Sequence, residues 1–177
     1  MLFVCSGNII RSPMAQAFLG ATAQRRGLDI TASSAGILPG VREIPDDTLA
    51  AIGQDGLDMH GHVSRPLTRE LLVEADLVLG MTAEHVREAV VLHDPCWPRA
   101  FTLREIVRRG ELVGPRRSDQ GRDQWLALVH GGRQRMDLLR PVPGDDLADP
   151  VGGPRSVIRS TAKEIHRLTD RLLDLMG

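Results

Sequence analysis

A cysteine and an arginine separated by five residues stand out as the pair best suited to covalent chemistry. They lie in the run Phe3-Val4-Cys5-Ser6-Gly7-Asn8-Ile9-Ile10-Arg11-Ser12-Pro13. An apolar strand closes at Cys5, a short polar loop follows, and Ser12-Pro13 opens a helix. Pro is favoured at the first helical position, because its missing N–H has no partner there. Ser before it suits an N-cap. The loop therefore sits on a helix N-terminus, where unpaired N–H groups and the positive end of the dipole favour an anion. Gly7 and Asn8 enter left-handed conformations most readily, so successive N–H groups can turn inward as a nest. Arg11 adds a planar fork that grips two oxygens of a tetrahedral oxyanion. The same field favours the thiolate of Cys5, the form that attacks. Ser6, Gly7, Asn8, Ile9, Ile10, Arg11 and Ser12 are the candidate phosphate-binding residues, with Cys5 as nucleophile. The competing reading is a buried cysteine at a strand end with a surface arginine; the Gly-Asn pair and the Ser-Pro start weigh against it.

Strand and helix signals alternate, which predicts an α/β fold: a parallel sheet with crossover helices. Strand 1 is expected at about 1–5 and a helix at 13–26, stopped by Gly27. Met14, Ala17, Phe18 and Ala21 give that helix one apolar face. Strand 2 is expected at 29–34, helices at 48–54 and 67–74, and strand 3 at 76–81, an almost continuous apolar run suited to burial on both faces. Thr82 is the expected N-cap of a helix over 83–91. A short strand follows at 99–102 and a helix at 103–109. Residues 110–122 read as a loop, and 124–129 as a helical segment that can extend toward Leu139 and ends at Pro141 to Gly144. The last helix spans 154–176. Cys5, Ser34 and Met81 all fall at carboxyl ends of strands, where open parallel sheets bind ligands.

The chain has 177 residues, 22 Lys plus Arg against 23 Asp plus Glu, and so a net charge of −1. That length suits one domain, 1–177, with its own core. Neutrality implies no general affinity for nucleic acid or membrane. Two cysteines far apart make no disulfide framework. No stretch is long and apolar enough to span a bilayer and no signal peptide is visible, so a cytoplasmic protein is expected. No cluster has convincing metal spacing, and no cofactor is implied. Arg116, Arg117 and the arginines between 133 and 140 are candidate contacts for a phosphoprotein, although exposed basic residues usually carry no function.

The Cys-x5-Arg-Ser-Pro run near the N-terminus resembles the signature loop of the low-molecular-weight protein tyrosine phosphatases. The likeness continues in order through Ser34-Ala35-Gly36, Gly61-His62-Val63-Ser64-Arg65, Ala75-Asp76-Leu77-Val78-Leu79-Gly80-Met81 and Asp146-Leu147-Ala148-Asp149-Pro150. It covers most of the chain except about 108–145. The resemblance implies a three-layer sandwich around a four-stranded parallel sheet of order 2-1-3-4. It also implies a phosphomonoester hydrolase acting on phosphorylated proteins or small phosphomonoesters, as a monomer or weak homodimer. Cys5 would attack phosphorus, Arg11 would hold the equatorial oxygens, and an Asp would protonate the leaving oxygen and then activate water. The resemblance assigns that acid to Asp149, with Asp145 and Asp146 as rivals; unaided, all three read as solvated carboxylates. It also casts Asn8, Ser12, Ser34 and His62 as braces of the loop, Ser12 by donating to the Cys5 sulfur. The histidines at 60, 85, 93, 130 and 166 have no partner visible in sequence.

The chain departs from that family in several places. Its first strand, Met1 to Val4, is short, where relatives carry a few more residues. Ile10 stands where a second cysteine often lies, so a neighbouring disulfide cannot guard Cys5. There is no Tyr, and Val151-Gly152 and the stretch from Ile37 to Val41 offer no aromatic to stack on a substrate ring. Residues 108–145 exceed a minimal member and are expected to form a lid or a partner surface. Three rivals remain: a protein-arginine phosphatase, which tends to carry Thr where Ile9 stands; an arsenate reductase, for which Cys96 is the only spare thiol; and a non-catalytic phosphate-binding module.

Overall fold

Residues 1–53, 59–140 and 142–177 are described by a computed structural model. Gln54, the expected end of the second helix, and Pro141, where the expected helical segment ends, lie outside them. Four strands make one parallel sheet in the order β2-β1-β3-β4: β1 Leu2–Cys5, β2 Ser33–Gly36, β3 Val78–Gly80 and β4 Ala100–Thr102. The helices are α1 Arg11–Arg26, α2 Asp46–Gly53, α3 Arg69–Glu74, α4 Ala83–Leu92, α5 Leu103–Val113, α6 Arg122–His130 and α7 Arg155–Met176. This is the α/β architecture and strand order expected above.

The period-2 alternation of strands splits the core in two. Phe3, Cys5, Leu79 and Phe101 face the layer built by α1, α5, α6 and α7, with Met14, Leu19, Ile106, Trp125, Ile165 and Leu172 buried there. Leu2, Val4, Val78 and Ala100 face the other layer, with Leu72, Val86, Ala89, Cys96 and Trp97. Because β1 is central and all four of its residues are buried, the loop that leaves it is anchored at its base.

Several boundaries differ from expectation for physical reasons. α1 begins at Arg11 with Ile10 as its cap, not at Ser12; the Ser12 hydroxyl is engaged elsewhere, as described below. β2 lies at Ser33–Gly36 rather than 29–34, because the chain pairs Cys5 with Gly36 and Leu2 with Ser33. α5 runs on past 109 through Gly110. A Gly inside a helix costs about 1 kcal/mol; here a Cβ would stand 3.0 Å from both Trp125 Cζ2 and Leu175 Cδ1, so the helix packs closely against these side chains at this position. Trp125 is fully buried and its Nε1 donates to Gly114 O at 2.9 Å. α6 does not continue to Leu139; Gly131 and Gly132 follow it, and Arg135–Leu139 form a separate 3-10 turn. Arg133 is not a surface contact: its side chain is 3% exposed, paired to Glu105 at 2.8 Å, with its guanidinium 4.0 Å from the Trp97 ring centroid and 4.1 Å from that of Phe101.

Candidate active site

The loop from Cys5 to Arg11 bends around Asn8, whose φ of 54° is the one positive value among the described non-glycine residues. Gly7 takes no positive φ, so Asn8 alone supplies the left-handed turn. Its side chain tolerates that conformation because it is bonded on every side. Asn8 Nδ2 donates to Ser12 Oγ at 3.0 Å and to Ser34 Oγ at 2.9 Å, and Asn8 Oδ1 accepts from Arg65 N at 2.9 Å. His62 Nε2 lies 2.8 Å from Asn8 O. Ser34 Oγ donates onward to Gln16 Oε1 at 2.6 Å. Asn8, Ser12, Ser34 and His62 thus form one connected network, joined by Gln16 and Arg65, which sequence reasoning missed.

Two donors converge on the sulfur of Cys5: Ser12 Oγ at 3.0 Å and Asn8 N at 3.2 Å. Both hold the sulfur in place at the base of the loop. Gly36 belongs to the Ser34-Ala35-Gly36 match noted above, but its role was not visible in sequence. A Cβ there would come within 2.8 Å of Ser6 O and 2.9 Å of Asn8 N, so the loop lies directly on the backbone of β2.

Arg11 is 4% exposed. Its Nη1 donates to Leu147 O at 3.0 Å, and its Nη2 to Ser6 Oγ at 3.2 Å and to Asp149 Oδ2 at 2.5 Å. The segment carrying Asp149 is strapped in place. Leu147 N donates to Met81 O, Arg104 to the carbonyls of Gly144 and Asp146, and Thr102 Oγ1 to the carbonyl of Asp145. The three carboxylates have different surroundings. Asp145 takes a bidentate pair from Arg108 at 3.0 and 2.7 Å. Asp146 Oδ1 accepts the Ala83 N–H at the start of α4 at 2.7 Å. Asp149, 43% exposed, faces Arg11, and its Oδ1 accepts from Val151 N at 3.1 Å.

These groups enclose a cavity of about 240 Å³, lined by Cys5, Ser6, Gly7, Ile9, Ile10, Arg11, Leu38, Arg42, Asp149 and Val151. A thiol at the floor, a guanidinium on one wall and a carboxylate at the rim are what nucleophilic displacement at a phosphoryl group requires. Asn8, Ser12, Ser34 and His62 do not line the cavity; their hydrogen bonds tie the loop together behind it. No residue of 108–145 lines it either. Arg42 is a second cation there; its backbone N donates to Ser64 Oγ at 2.6 Å, and its Nη1 is buried with no hydrogen-bond partner. Among the described residues no group of His, Cys, Asp and Glu could hold a metal ion, and no helix is long and apolar enough to cross a membrane.

Comparison with known proteins agrees with this geometry. The family model for low molecular weight phosphotyrosine protein phosphatase matches residues 1–112. The chain is 37% identical over 119 residues to a protein-arginine-phosphatase of Bacillus subtilis (strain 168), covering 65% of this chain and 78% of that one. It is 35% identical over 133 residues to the probable low molecular weight protein-tyrosine-phosphatase EpsP of Ralstonia solanacearum, covering 75% and 89%. The crystal structure of the low molecular weight protein tyrosine phosphatase from T. tengcongensis superposes with a TM-score of 0.73 at 29% identity, covering 97% and 95%.

Proposed function

Since the chain belongs to the low molecular weight phosphotyrosine protein phosphatase family and is a phosphatase, we propose that Cys5, Arg11 and Asp149 carry out its reaction in two displacements. The Cys5 thiolate attacks phosphorus, the P–O bond to the leaving group breaks, and Asp149 gives that oxygen its proton. The cysteinyl-phosphate is then hydrolysed by a water whose proton returns to Asp149. Arg11 and the loop N–H groups hold the equatorial oxygens, where charge is spread in the transition state. The observation that supports this most is the convergence of Ser12 Oγ and Asn8 N on the Cys5 sulfur beside the Arg11–Asp149 pair. Asp145 and Asp146 suit the acid role less, since each is committed to a structural partner.

Phosphorylated proteins are the proposed substrates, and phosphotyrosine suits the cavity better than phosphoarginine. Ile9, Leu38 and Val151 give it apolar walls, and Arg42 adds positive charge. A guanidinium leaving group would meet a like charge there, whereas a neutral phenol would not. Two free thiols, Cys5 and Cys96, suit a reducing, cytoplasmic compartment. Turnover of p-nitrophenyl phosphate by wild type, Cys5→Ser and Asp149→Ala is the direct test. Cys5→Ser is expected to be inactive, and unchanged activity would refute the mechanism. Phosphotyrosine and phosphoarginine peptides then compare the two substrate classes.

A further inference from the structure

A buried polar chain behind the cavity has no part in the reaction described so far. His85, on α4, is 1% exposed. Its Nδ1 lies 3.0 Å from Thr82 N and 2.8 Å from Thr82 Oγ1. A backbone N–H can only donate, so Nδ1 accepts, and the one proton of a neutral imidazole sits on Nε2. Burial, and next the charge of Arg11, push the ring's pKa down to about 3, so the ring is neutral near pH 7.

The Nε2–H faces Ser6 Oγ at 3.0 Å and therefore donates to it. Arg11 Nη2 donates to the same oxygen at 3.2 Å. A hydroxyl oxygen has two acceptor sites, and both are filled. The remaining proton of Ser6 must point away from both donors, and Ser6 lines the cavity together with Cys5 and Arg11.

We infer that the Ser6 hydroxyl is a side-chain donor to the phosphoryl group held in the cavity, and that His85 is the positioning residue that fixes the direction of its proton. The inference rests on the phosphatase reading and adds a neutral donor to the loop N–H groups and Arg11. His85 acts only through Ser6, so its effect vanishes when the hydroxyl is gone. A ring that merely filled space under α4 would act regardless of residue 6.

The experiment is a double-mutant cycle on the full chain, with Ser6→Ala, His85→Asn and the double variant. Inorganic phosphate binding is read by calorimetry and p-nitrophenyl phosphate turnover by kcat/KM. Ser6→Ala is expected to weaken phosphate binding about tenfold or more, as for loss of a hydrogen bond to an anion. His85→Asn is expected to weaken it severalfold in the wild-type background and not at all in Ser6→Ala. His85→Gln, whose longer amide can again donate, is expected to recover part of the loss. Phosphate binding by Ser6→Ala equal to wild type would overturn the inference, whether or not the His85 variants fold. Equal losses from His85→Asn in both backgrounds would overturn the positioning role. Failure of the phosphatase reading would show differently, as wild-type phosphate binding without turnover.

Discussion

The Arg11 guanidinium and the Asp149 carboxylate meet at 2.5 Å although 138 residues separate them. One nitrogen of Arg11 bridges Ser6 and Asp149, while the other holds the Leu147 carbonyl of the Asp149 segment. The cation proposed to hold phosphate thus also positions the proposed acid. In the proposed mechanism, substrate oxygens in the loop would compete with the carboxylate for Arg11 and so free Asp149 to turn to the leaving oxygen.

If Asp149 protonates the leaving group, its removal matters most where the leaving oxygen is basic. Asp149→Ala is expected to lower kcat about 10²–10⁴-fold with phenyl phosphate and clearly less with p-nitrophenyl phosphate. The measurement is kcat across a series of aryl phosphates. Equal losses along the series would remove Asp149 from the acid role.

Gly36 predicts a loop defect at a distance from the chemistry. In Gly36→Ala the new methyl would press on the backbone of Ser6, Gly7 and Asn8 at 2.8–2.9 Å, and backbone cannot yield as a side-chain tip does. A displacement near 1 Å is enough to cost about 100-fold. The expected result is a fall in kcat/KM of that order with the protein still folded by circular dichroism.

What was legible in the sequence follows from how local each feature is. The geometry from Cys5 to Pro13 depends on neighbours in the chain, so the strand, loop and helix start announce it. Gly36, by contrast, is one of 18 glycines, and only the register of β2 against β1 sets it under the loop. His85 and Arg42 were likewise invisible, because α4 and the segment after β2 bring them to residues far off in sequence. The extension of α5 was hidden because 110–122 has the composition of a loop, and only the fold brings Trp125 and Leu175 against Gly110. The length of 108–145 suggests a lid or a partner surface, but only the fold shows that its Trp125 and Arg133 are fastened to the core.

Burial of His85 makes the fold acid-sensitive. Its pKa is about 3 in the folded chain against 6.5 unfolded, so the unfolded chain binds more protons between these values. Stability is full above about pH 6.5 and is lost as pH falls through the window toward 3, by at most ~1.4 kcal/mol per pH unit. From pH 7 to pH 5 this group contributes a loss of about 2 kcal/mol. Urea unfolding of wild type and His85→Asn at both values checks it: the variant is expected to lose less, and parallel losses would exclude His85 as the source.

The rim lacks an aromatic, and Val151 is the place to supply one. It lines the cavity and is 56% exposed, so a ring can be added without disturbing the core. Stacking contributes ~0.5–1.5 kcal/mol beyond area burial. Val151→Trp is therefore expected to lower KM for p-nitrophenyl phosphate by about 2–10-fold with kcat little changed. A micromolar KM in wild type would show that the cavity already binds aryl groups by other means.

Oxidation of Cys5 has no nearby thiol to arrest it. Ile10, 3% exposed, occupies the neighbouring loop position. The other cysteine, Cys96, packs against the opposite face of the sheet from Cys5, and burial pushes its thiol up to about 11, which makes it a poor nucleophile as well as a distant one. Peroxide should thus carry Cys5 past the sulfenic acid to sulfinic and sulfonic forms that thiols do not reduce. Recovery of activity with dithiothreitol is expected to be incomplete and to be the same in Cys96→Ala as in wild type. Full recovery, together with a Cys5–Cys96 disulfide seen by mass spectrometry, would require the sheet to open and would overturn this prediction.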